Sequence, residues 1–165
     1  MSKASVTEAL SGLGFTSCQG NDKKQGTHKL TVVQSGQSRS LFVVAKTVGA
    51  GTINQIRPHW CVPLILWHSV QNTWYLVSAA EVLRLAAQKN RGQHTESPFE
   101  CCNLNFREVL SYECPSSQLV ARVKESDAEL EASPRIRALM ADHILNIQEA
   151  VIQTKAKVLS TLSGI

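Results

Sequence analysis

The stretch Leu41-Phe-Val-Val-Ala-Lys46-Thr47 is an almost unbroken apolar run that closes on a lysine. Its Leu, Phe and Val side chains suit a buried β-strand. The lysine at the tip has two readings. Either its stem lies along the strand end and the ammonium reaches into water, or the strand presents it to a site. Upstream, residues 29–34 read as a second strand, and Ser35-Gly-Gln-Ser-Arg39 as the turn that joins the two into a hairpin.

Outward from that hairpin the chain alternates between helix and strand signals. Val6, Leu10 and Leu13 share helical spacing, so residues 5–13 are expected to form a helix closed by Gly14 and anchored by Phe15. Residues 19–28 read as a polar loop, and 48–52 as a glycine-punctuated loop. Residues 53–57 suggest a turn of helix before Pro58. Residues 62–68 and 73–77 read as strands joined by a turn at Gln71-Asn72, with Pro63 tolerable near a strand start. Ser78 is the expected N-cap of a helix over 79–88, with Glu81 in its first turn. A polar loop follows at 89–98, then a short strand at 99–106, then an irregular, charged segment over 107–132. Ser133-Pro134 opens a long helix whose apolar stripe is Ile136, Met140, Ile144, Ile147, Val151, Val158 and Leu162. At ~1.5 Å per residue such a helix reaches ~40 Å. The expected fold is α/β: a mixed central sheet of about five strands flanked by helices, with a long C-terminal helix. An α/β domain over 1–124 and a linker plus helix over 125–165 are the expected parts.

The chain has 165 residues, 43% hydrophobic and 18% charged, which indicates a folded domain with a real core. No apolar run approaches the ~20 residues of a membrane span, and no signal-peptide core follows Met1, so a cytoplasmic protein is expected. Five cysteines, an odd number without a C-x-x-C pair, argue against a disulfide framework and a zinc knuckle. Residues 1–60 hold seven Lys and Arg against two acids, a net +5; residues 125–165 hold four against six, a net −2. A basic N-terminal part suits a polyanionic partner. The 89–94 loop, Lys-Asn-Arg-Gly-Gln-His, is rich in the donor types that contact phosphates and base edges.

Several segments together carry a family resemblance. They are the helix Glu8-Ala-Leu-Ser-Gly-Leu-Gly-Phe15, a loop holding Asp22, the strand ending Lys46-Thr47, and the strand Trp74-Tyr-Leu-Val77 running into the Ser78 helix. Over residues 4–106 this order resembles the PD-(D/E)XK nuclease-like superfamily, whose core is a helix, a three-stranded meander, a helix and a further strand. The resemblance implies a DNA-binding, restriction-endonuclease-like protein that hydrolyses phosphodiester bonds with Mg²⁺. It implies catalytic roles for Lys46, Glu8 and Asp22, with Asp22 and Glu8 as metal ligands, and action as a homodimer through the C-terminal helix. Metal-bound carboxylates clamp the scissile phosphate in such a site, and the lysine stabilises developing charge. The expected nucleic-acid contacts are Lys23, Lys24, Gln55, Arg57, Arg91, Gln93 and His94. One position departs from the pattern. Val44 stands where the motif places an acid, two residues before the lysine. Either Glu8, Glu81 or Glu100 supplies the missing carboxylate, or the fold serves binding with cleavage lost. A rival expectation makes the C-terminal helix the functional part, docking a partner or a second copy.

Overall fold

A computed structural model describes residues 6–13, 15, 17–20, 27–34, 36–49, 51–131, 134–145 and 147–164. The 41–47 run lies within β3 (Gln37–Val48), the central strand of a five-stranded mixed sheet. With β1 (Ser17–Gly20) and β2 (Thr27–Gln34) it forms an antiparallel meander. After an intervening strand, β4 (Thr52–Ile56), the chain adds β5 (Leu64–His68), which pairs parallel with β3. β6 (Thr73–Val77) then pairs antiparallel with β5, giving the order β1-β2-β3-β5-β6. Leu41, Val43 and Ala45 are buried on one face of β3, and Val44 is buried on the other. A strand covered on both faces reads as a continuous apolar run, which is why this one does.

Each face of the sheet has its own core. On one side Leu10 of α1 (Val6–Ser11), Phe15, and Leu119 and Val123 of α4 (Leu119–Glu131) pack against Leu30, Val43, Ile65 and the stacked pair Trp67–Trp74. On the other, Val44, Leu66 and Val77 meet α2 (Ala79–Ala87) and a two-stranded sheet of β4 and β7 (Cys102–Asn105). The same core takes in Ile136 and Met140 of α5 (Pro134–Leu145) and Val158 and Leu162 of α6 (Ile147–Leu162). Ser78 caps α2 as expected, its hydroxyl accepting the Glu81 amide at 3.2 Å.

Several expectations are corrected. Of the expected 19–28 loop, residues 19–20 and 27–28 are paired strand, with Gly20 opposite His28. β1 is an edge strand, and its polar side chains hid it. Residues 53–56 lie in β4, in place of the turn of helix expected over 53–57. Gln55 adopts φ 58°, and the ladder shifts register between Ile53 and Ile56, so both isoleucines are buried three residues apart. A bulge therefore reproduces helical spacing in a strand. The 99–106 strand shrinks to β7, because Asn105 and Glu108 form a capping box that starts α3 (Phe106–Val109). The 107–132 segment is largely helical. Among its described side chains α4 buries a narrow line, Leu119, Val123 and Ser126.

The single 40 Å helix is two helices. His143 Nδ1 lies 3.0 Å from Thr154 Oγ1, whereas eleven residues of straight helix separate two groups by ~16 Å, so α6 folds back along α5. His143 Nε2 lies 2.5 Å from Ser97 Oγ, which ties this helical pair to the 89–101 segment. The stripe residues Ile136, Met140, Val158 and Leu162 are consumed in the chain's own core. The link from β3 to the parallel strand β5 runs through β4 and a 3-10 turn at Pro58–Trp60, and α2 comes only after β6. The crossover therefore holds strand where the expected core has a helix.

Candidate nucleic-acid interface

Lys46 shares the Val44 face of β3 but lies past the core, half-buried. Its Nζ donates to the carbonyl of Asn54 at 2.6 Å and that of Gln55 at 3.4 Å. Burial holds the ammonium below the usual lysine pKa; the nearby Cys101 thiol opposes that shift and the Arg57 guanidinium adds to it. The lysine therefore ties the end of β3 to the bulged backbone of β4.

The bulge is braced from its other side as well. The Gln55 amide donates to Gln93 Oε1 at 2.9 Å, and the Gln93 amide donates to the Cys101 carbonyl at 2.8 Å. Gly92 sits in the same knot. A Cβ there would lie 2.4 Å from the Ser97 carbonyl and 2.7 Å from that of Cys101, so only glycine fits without backbone movement. Lys89 donates to both Glu108 oxygens, at 2.6 and 2.7 Å, and Lys155 donates to the Lys89 carbonyl. Partial burial raises the Glu108 carboxyl pKa, but the hydrogen bonds from Lys89 and the Asn105 amide outweigh it and hold the group below the ordinary value. A segment without regular structure is thus fixed at both ends and in the middle.

These contacts bring Lys46, Gln55 and Gln93 together, with Arg57 close enough to act on the lysine. The Arg57 guanidinium lies 5.7 Å from the centre of the Trp60 ring, a cation–π distance. Arg91 and His94 flank Gln93 and are exposed, and His94 takes a left-handed φ of 58°. Lys23, Lys24 and Asp22 lie outside the described residues. Glu8 is elsewhere: it lines a groove with Trp67 and Trp74, on the opposite face of the sheet from Lys46. The Cys101 contact with Gln93 had no sequence signal beyond an apolar Cys-Cys pair. The Arg57–Trp60 contact was legible as a cation three residues before an aromatic.

Of the two expected magnesium ligands, Glu8 lies away from Lys46 and Asp22 is not among the described residues. Among them no three His, Cys, Asp or Glu side chains converge. Glu81 accepts from Arg84 and from the Tyr112 hydroxyl, and Glu100 accepts from Thr95. Val44, at the motif's acid position, is 6% exposed within the apolar core. No family model matches this chain, and no curated protein or solved structure matches it.

Proposed function

We propose that this chain is a nucleic-acid-binding module of restriction-endonuclease-like descent that does not cleave its ligand. The observation that carries this reading is the surrounding of Lys46. Its ammonium is spent on the carbonyls of Asn54 and Gln55, and among the described residues the groups shown gathered beside it are Gln55, Gln93 and Arg57. The opening helix, the antiparallel meander and the parallel strand beside it agree with the family's core, while the strand-containing crossover departs from it. Side chains of Arg57, Arg91, Gln55 and His94 would meet the phosphate backbone, which needs positive charge and N–H donors and no metal. Duplex DNA is the ligand to test first.

The experiment has two arms. Plasmid incubated with the protein and Mg²⁺ or Mn²⁺ should stay supercoiled; nicking that disappears in Lys46→Ala would overturn the non-catalytic reading. Fluorescence anisotropy with a labelled duplex at low salt should show saturable binding, and no binding there would remove nucleic acid as the ligand.

A further inference from the structure

A second site lies at the other end of β3. A cavity of about 90 Å³ opens beside the start of β5, walled by Phe42, Cys61, Pro63, Ser126, Asp127 and Arg137. Phe42 lies four residues before Lys46 on β3, so the cavity is ~13 Å along the strand from the Lys46 cluster. The space is several times what one water molecule needs.

Three features of the wall point to a ligand. Ser126 is 5% exposed, yet among the described residues its hydroxyl has no hydrogen-bond partner, although a buried hydroxyl ordinarily finds one. Arg137 is exposed at the rim and makes no ion pair among the described residues. Asp127 is already compensated by Arg39, so its charge is not the cavity's open valence. The Cys61 thiol stays protonated at neutral pH, because burial pushes its pKa up to about 11. The wall therefore offers a cation, a hydroxyl donor and a weak thiol donor. Beside them lies an apolar surface of Pro63 and of Phe42, which is 43% exposed.

We propose that this cavity binds a small monocarboxylate with a short apolar tail. Arg137 takes the carboxylate through its planar fork. Ser126 donates its free hydroxyl to the same group, and the tail lies against Phe42 and Pro63. A doubly charged phosphate fits less well, because the Asp127 carboxylate stands in the same wall and, among the described residues, a single unpaired cation faces it.

The test is a titration of the ¹⁵N-labelled full chain with butyrate, butyramide or inorganic phosphate, read from amide shifts. Butyrate is expected to give saturable shifts at Cys61, Ala79, Ser126 and Arg137. Arg137→Gln should weaken binding roughly tenfold or more, the loss of a hydrogen bond to a charged group. Ser126→Ala should weaken it several-fold while leaving the rest of the spectrum in place, which shows that the fold persists. Absence of saturable shifts with butyrate overturns the proposal. So does an equal response to butyramide or phosphate, or undiminished binding in a folded Arg137→Gln variant.

Discussion

Replacing His143 by alanine should destabilise this protein more than its place in the C-terminal helices suggests. The ring is 1% exposed, stands edge-on to Phe99, and joins Ser97 on one side to Thr154 on the other. Its removal takes the ring partner from two buried hydroxyls, at about 1–3 kcal/mol for a group fully unsatisfied. Ser97 keeps its bond from the Phe99 amide, so its share falls at the low end. The vacated ring volume adds a cavity cost of the order of 2 kcal/mol. The expected loss is about 4 kcal/mol, a large part of the 5–15 kcal/mol typical of a domain. For a chain of this length that corresponds to roughly 8–16 °C in melting temperature. Urea unfolding followed by circular dichroism measures it. A loss below about 1 kcal/mol would refute the argument that this histidine pins the helical pair to the sheet layer.

The same residue sets a pH dependence. Burial pushes the His143 imidazole below its ordinary 6.5; His59 pushes the same way, while Glu100 and Asp142 oppose. The folded state therefore resists a proton that the unfolded chain accepts. This stabilisation is complete above about pH 6.5 and is lost as pH falls through the folded value. Stability should decline from pH 7.5 to 5 more steeply in the wild type than in His143→Gln. Parallel profiles would contradict it.

Three further outcomes follow from the geometry. Lys46→Met removes the bond from Nζ to Asn54 but keeps the stem, and water reaches the freed carbonyls, so a loss of about 1 kcal/mol is expected in urea unfolding; a loss above about 4 kcal/mol would mean the ammonium is more deeply committed than its half-exposed site allows. Gly92→Ala forces backbone atoms apart at Ser97 and Cys101 and should cost about 1–3 kcal/mol, with amide shifts spreading over 91–101 in the NMR spectrum; an unchanged spectrum would contradict the tight packing. Cys61 and Cys102, with pKa values pushed up by burial to about 11 and about 12, hold at most about a thousandth of their thiol as thiolate at pH 8. Ellman's reagent should therefore modify them promptly only after unfolding, and fast reaction of the native protein would count against their burial.

The sheet was legible wherever burial is two-sided. The 62–68 run hides both faces and the 41–47 run does so over Val43–Ala45, so their apolar density marked them without any need for register. Ser78 and Glu81 signalled α2 because capping is local chemistry. β1 was not legible, since a polar edge strand needs no alternation. β4 was misread because a left-handed Gln55 sets two buried isoleucines at helical spacing. The reversal between α5 and α6 was also hidden. The stripe from Ile136 to Leu162 is periodic on both sides of Asn146, and only the pairing of His143 with Thr154 fixes the fold-back. In the candidate site, Gln55, Arg57 and Gln93 were legible as donor-rich positions. Their gathering around Lys46 was not, because it depends on a side-chain bridge between residues 38 apart in sequence.

The central claim is that donors from β4 and the 89–101 segment form a surface for a polyanion beside a lysine that does no chemistry. It is tested most directly by the salt dependence of duplex DNA affinity in wild type and in Arg57→Gln/Arg91→Gln. Each phosphate contact contributes about −0.9 to the slope of log K against log salt. The double variant should bind more weakly, with a slope shallower by roughly 2. Equal slopes for the two proteins, or no binding by the wild type at low salt, would contradict it.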